Sequence, residues 1–259
     1  MAVGFDKNII AKNFSRGAKN YDQLATPQLA AAKNLVNLAS PFFKDDCQIL
    51  DLGSGTSFIG KELFASHKEI ARNSRLFEVD MSPQMLNSWT NRPANVFALQ
   101  GDMENLSFAP DSFDIIFSSF ALHWLSDFDK CFLQLPSILK KNGCIAFCLP
   151  THGSLLELSS AGIFQFNEFP KNSAIQDSLK RQGLREKKFI CEKVKQKFLD
   201  GYEALKFIKK IGGNYTSSKK ILTKSRLAEF NSFCLKNFSS DNKSFELSWN
   251  VSYFVYTND

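Results

Sequence analysis

Over the first 150 residues, short apolar runs alternate with longer amphipathic segments, a rhythm that few folds accept. CQILDL (47–52), RLFEVD (75–80), NVFALQ (95–100), FDIIFSS (113–119) and CIAFCLP (144–150) read as strands. Several are apolar at successive positions, as strands buried on both faces are. Residues 57–70, 83–90 and 127–140 between them have helical spacing. Ser82 before Pro83 is an N-cap with proline at the first helical position, and KKNG (140–143) supplies basic residues and a glycine to end the last helix. Strands alternating with helices predict an α/β fold, a doubly wound and mainly parallel sheet.

After Pro150 the rhythm changes. Residues 153–165 and 173–183 read as helices, and 187–199 alternates like a strand. Residues 201–211 and 223–236 read as helices again, and SFELSWNVSYFVYT (244–257) as a last strand. Seven strands are expected in all. The organisation read from this is a helical segment over 1–46 on the substrate side and a ligand-binding core over 47–150. A helical cap with one sheet strand follows over 151–236, and 237–259 completes the sheet.

Composition removes several classes of protein. The 259 residues are 44% hydrophobic and 22% charged, ordinary for a globular chain, and no apolar run reaches the roughly 18–20 residues of a membrane span. The N-terminus lacks an uninterrupted apolar h-region; it is basic and amphipathic but carries Asp6 and Asp22, and reads as part of the fold. Cys47, Cys131, Cys144, Cys148, Cys191 and Cys234 form no C-x-x-C pair. Reduced, mostly buried thiols in a cytoplasmic protein are expected, with no metal site and no membrane.

Ligands of a doubly wound sheet bind beyond the carboxyl ends of its strands. Four such ends carry polar or glycine residues here. Asp51-Leu-Gly53-Ser54-Gly55-Thr56 opens a helix and lets a ligand approach the backbone. Asp80 closes the second strand, where an acid accepts from a ribose diol. Asp102 and Met103 follow the third strand, placed to meet an adenine edge and ring, and SSFALHW (118–124) follows the fourth. A dinucleotide loop wants a further glycine for its pyrophosphate. Ser57 and Phe58 stand there instead.

LDLGSG, VDMSPQML, GDMENLSF and FDIIFSSFALHW together resemble the class I S-adenosylmethionine-dependent methyltransferases, across residues 47–150. The resemblance implies S-adenosyl-L-methionine as cofactor, held by Asp51, Gly53, Ser54, Gly55, Asp80, Met81, Asp102, Met103 and Ser118. A glycine is frequent in that family where Ser57 stands. The flanks IAKNFSRGAKNYDQLATPQLAAAKNLV, THGSLLEL, ALKFIKKIGGNYTSSKKILTKSRL and FELSWNVSYFVYT resemble the malonyl-[acyl carrier protein] methyl ester synthases of biotin biosynthesis. That resemblance implies methylation of the free carboxylate of a malonyl thioester on an acyl carrier protein. SSFALHW also resembles methyltransferase-like proteins of respiratory complex I assembly and the trans-aconitate methyltransferases. A nucleic-acid methyltransferase would show N/D-PP-Y/F where SSFA stands, and a non-catalytic scaffold would not keep the acids and glycines of the loop.

A carboxylate acceptor of pKa about 4 is already ionised at pH 7, so no general base is required. Alignment and removal of water should carry the reaction. Donors expected to hold the acceptor are Tyr21 and Arg16 on the N-terminal helix and His152 after the fifth strand; packing for Tyr21 and a surface charge for Arg16 are the simpler roles. His123 and Trp124 are expected to shape the cofactor pocket. Charge is uneven: residues 171–226 hold 16 Lys+Arg and 5 Asp+Glu, net +11, against −3 before and −2 after. Arg181, Arg185, Lys187, Lys188, Lys206, Lys209, Lys210, Lys219 and Lys220 are the expected dock for an acidic carrier, with no nucleic acid as partner.

Overall fold

The computed structural model describes residues 6–125, 127–160, 169–213, 223–239 and 244–259. One sheet contains β1 (Gln48–Leu52), β2 (Arg75–Asp80), β3 (Val96–Gln100), β4 (Phe113–Ser119), β5 (Leu139–Pro150), β6 (Arg185–Phe198) and β7 (Phe245–Thr257). Their order is β3-β2-β1-β4-β5-β7-β6, and β7 alone runs antiparallel, between β5 and β6. The strand order reverses between β1 and β4, which opens a crevice beyond their carboxyl ends.

The helices are α1 (Lys7–Leu24), α2 (Thr26–Ala39), α3 (Phe58–Ser66), α4 (Lys68–Asn73), α5 (Pro83–Leu86), α6 (Phe128–Ile138), α7 (Leu156–Ser160), α8 (Asn172–Arg181), α9 (Gly201–Lys210) and α10 (Lys224–Phe238). They cover both faces of the sheet, which is why its strands are apolar at successive positions. Ile49, Ile115, Phe117, Ala146 and Cys148 pack with residues of α2, α3, α9 and α10. Their neighbours Leu50, Leu52, Ile116, Ile145 and Phe147 pack with Cys131, Phe132 and Leu135 of α6 and Ile175 and Leu179 of α8. Five of the six cysteines are buried free thiols, and Cys191 is exposed.

Several elements depart from their sequence-based limits. The segment expected as one helix over 57–70 is two, because His67 leaves helical geometry at φ −129°, ψ 53°. The helix expected over 83–90 is a single capped turn: the Ser82 hydroxyl accepts from Met85 N, and the Ser88 hydroxyl donates to Met85 O at 2.6 Å. KKNG does not end α6. That helix stops at Ile138, and β5 begins at Leu139 with a left-handed turn at Asn142 (φ 60°) before it pairs regularly from Cys144. Residues 161–165 of the expected seventh helix lie outside the described residues.

Candidate active site

The four strand ends singled out above converge on one cleft of about 960 Å³, closed on its open side by α1. Its floor is the β1 turn. Gly53 N and Ser54 N donate to Val79 O at 2.8 and 3.1 Å, tying that turn to β2. Gly53 has φ +67°, and a Cβ there would stand 2.3 Å from the Ala121 Cβ, so the β1 and β4 turns touch through the missing side chain. Phe120, in the β4 turn, also holds a positive φ of 52°, uncommon for a bulky residue and placed at the cleft wall.

Ser57 answers its own oddity. It adopts φ 71°, the left-handed region that favours glycine, and its hydroxyl donates to buried Glu78 Oε2 at 2.8 Å. Arg92 completes the anchor, donating to the same oxygen at 3.0 Å and to Leu86 O at 2.6 Å. A hydrogen bond therefore offsets the strain that a glycine would have avoided.

The acids of the cleft differ in what they hold. Asp80 accepts from Gly55 N at 2.9 Å and Ser82 N at 2.8 Å, one oxygen each, so both oxygens keep a free lone pair. Burial raises its pKa, opposed by those two bonds. Asp51 is 1% exposed, and neither carboxylate oxygen has a partner. Burial, then the nearby charges of Glu78 and Asp80, push its pKa well above the usual carboxylate range. A buried acid with no donor is costly, and a cationic ligand group beside it removes the cost. Asp102 accepts from Lys7 Nζ at 2.7 Å and from Glu104 N at 2.9 Å, while Lys7 also reaches Glu104 at 2.8 Å.

Most of the expected cofactor residues line this cleft: Asp51, Gly53, Ser54, Gly55, Asp80, Met81, Asp102 and Met103 all do. Ser118 does not. Its hydroxyl is buried and donated to Leu52 O at 2.7 Å, bridging β4 to β1, and Ser119 takes the place at the wall. Of the expected acceptor donors only Tyr21 is in the cleft, its ring stacked on Phe58 at 5.8 Å. Arg16 is exposed on α1 outside the lining. His152 is also exposed and off the cleft, its backbone tied to Pro170 O and its carbonyl to Asn250. His123 sits behind the wall against Trp124 and Phe169, and burial depresses its pKa to about 3. Lys7, Phe14, Gln28 and Thr56 also line the cleft, and nothing in the local glycine-loop pattern singled them out.

The cleft's features match a ligand with a cation at one end, a diol and a flat apolar ring. Orphaned Asp51, the Cβ-free approach at Gly53, half-satisfied Asp80, and Met81 and Met103 at the walls fit S-adenosylmethionine. A family model described as a methyltransferase domain matches residues 43–210, and the chain belongs to that family: it is an S-adenosylmethionine-dependent methyltransferase. Within the class it is 30% identical to the malonyl-[acyl-carrier protein] O-methyltransferase of Buchnera aphidicola, over 86% of this chain and 89% of that one. It is 28% identical to the enzyme of the same name from Pectobacterium atrosepticum, over 100% of both chains. A crystal structure from Bacillus halodurans shares the fold with a TM-score of 0.65 at 15% identity, over 88% of this chain and 99% of that one.

Proposed function

We propose that the enzyme methylates the free carboxylate of malonyl-acyl carrier protein, making the methyl ester that primes pimelate synthesis for biotin. The observation that carries this reading is the absence of a proton-transfer residue among the described residues of the cleft. Its ionisable side chains are Asp51, Asp80, Asp102, Glu104, Lys7 and Tyr21. Lys7 is committed to an ion pair, and burial keeps neighbouring His123 neutral. An acceptor that arrives ionised suits such a site, whereas an amine or hydroxyl acceptor needs a base. Similarity to two malonyl-[acyl-carrier protein] O-methyltransferases over most of their length supports the same acceptor.

When bound, S-adenosylmethionine supplies an activated methyl group on a sulfonium. The chain's own part is orientation and exclusion of water. Phe14, Phe120 and Trp124 give the cleft an apolar wall that strips the acceptor carboxylate of water. Burial, with Asp80 and Asp22 nearby, raises the pKa of Tyr21, so its hydroxyl stays protonated and able to donate to a carboxylate. Among the expected donors, Tyr21 is thus the residue assigned to hold the acceptor.

The carrier would dock on α9. Arg181 is paired with Asp129, and Arg185 and Lys187 with Asp259, at the end of the sheet opposite the cleft. Lys219 and Lys220 lie outside the described residues. Lys206, Lys209 and Lys210 are exposed on α9, which packs on α1 so tightly that a Cβ at Gly17 would stand 2.6 Å from Lys210 O. The test is transfer of labelled methyl from the cofactor to malonyl-, succinyl- and acetyl-carrier protein and to malonyl-coenzyme A. Preferential labelling of the malonyl carrier is expected; an unlabelled malonyl carrier refutes the assignment.

A further inference from the structure

The buried stripe of α2 ends in a residue that does not belong to a core. Ala31, Ala32, Leu35 and Ala39 are each at most 2% exposed and pack against the sheet and α3. Gln28 precedes them by three, four, seven and eleven positions, the same face of the helix, and is itself 5% exposed. Its Oε1 is buried without a partner. An amide oxygen in such a position is costly unless a donor arrives. No protein donor reaches it among the described residues, and Gln28 lines the cleft beside Asp51, Ser54 and Thr56.

These four residues are complementary to an amino-acid zwitterion. Asp51 and Gln28 Oε1 present three unpartnered acceptor oxygens, and the Ser54 and Thr56 hydroxyls, equally unpartnered, can donate. An ammonium satisfies the first group and a carboxylate the second. The stacking of Tyr21 on Phe58 holds the start of α2 close to the start of α3, so the amide comes from outside the glycine loop but meets its open side. We propose that Gln28 is a cofactor-binding residue, accepting a hydrogen bond from the ammonium of the cofactor's methionyl end alongside Asp51. α2 thereby reads the amino-acid half of the ligand that β1 and α3 cradle. The assignment is independent of which acceptor the enzyme methylates.

Calorimetric titration with two probes tests it: S-adenosylhomocysteine, which has the amino-acid end, and 5′-methylthioadenosine, which lacks it. Gln28→Leu is expected to weaken homocysteine-bearing ligand about tenfold and leave methylthioadenosine within about twofold. Gln28→Glu keeps an acceptor there and should hold S-adenosylhomocysteine within about threefold of wild type. Equal weakening of both probes by Gln28→Leu, or no weakening of either, overturns the proposal. So does a Gln28→Glu variant that loses S-adenosylhomocysteine as fully as the leucine variant. A rise in acceptor KM with unchanged S-adenosylhomocysteine binding would assign the amide to the acceptor instead.

Discussion

Two residues of the β1 turn hold opposite positions in the balance between stability and binding. Ser57 accepts a left-handed backbone and offsets it through Glu78. Ser57→Gly removes the strain and the bond together, so its stability should stay within about 1 kcal/mol of wild type. Ser57→Ala keeps the strain and loses the bond, which should cost about 1–3 kcal/mol. Thermal melts should therefore place the alanine variant lowest; an alanine variant as stable as the glycine one would show that the Glu78 bond contributes nothing. Asp51 works the other way. Its folded pKa lies above its unfolded value, so the folded chain holds the proton more tightly. The stability it contributes is complete below the unfolded pKa and is lost as pH rises toward the folded one. Asp51→Asn should flatten that decline and raise the melting midpoint of the ligand-free protein by about 2–4 °C or more near pH 7. The same variant should bind S-adenosylhomocysteine at least about tenfold more weakly. Melting curves from pH 4 to 8, with and without ligand, check both signs.

Among the elements, α1 is the one whose role depends on reach. It lays Lys7, Ile10, Phe14 and Tyr21 along the cleft, and Lys7 fastens its first turn to Asp102 and Glu104. The Lys7 side chain is 30% exposed, so water screens the pair and its worth is about 1 kcal/mol. Loss of that fastening should let α1 lift more often. Lys7→Met is expected to speed both binding and release of S-adenosylhomocysteine by about threefold to tenfold in stopped-flow traces, with little change in Kd. A slower or unchanged release would mean that the ligand does not pass under α1. This element also marks the limit of sequence reading. The strands and their polar ends were legible because each is a short local pattern: an apolar run closed by Asp51, Asp80 or the GDM of Gly101–Met103. Lys7 on Asp102 and Gln28 near Asp51 were not, because each pair is far apart in the chain and meets only when two helices fold over the sheet. Ser118 was misplaced for a related reason. In an alternating strand one residue's shift exchanges the cleft for the interior, and the boundary of β4 decides which serine faces out.

Across the molecule, net charge is less informative than where each charge is spent. The +11 of residues 171–226 divides between two ends of the sheet. β6 starts beside Thr257 of β7, next to the first residues of β5, and finishes at Phe198 before α9. Its early basic residues therefore lie away from the cleft and pair with Asp259, whereas α9 lies against α1 at the cleft. An acidic carrier that must pass its thioester arm into the cleft gains only from the second group. Steering by exposed charges acts on encounter and fades over a Debye length of about 8 Å at physiological salt. Lys209→Glu with Lys210→Glu should raise KM for malonyl-carrier protein about tenfold at low salt, with S-adenosylhomocysteine affinity unchanged. Added salt should raise the wild-type KM and narrow the difference. Arg185→Glu with Lys187→Glu makes the same change in net charge at the far end, and there KM should stay within about twofold. Equal effects from the two pairs would mean that the carrier responds to overall charge, and the α9 dock would have to be abandoned.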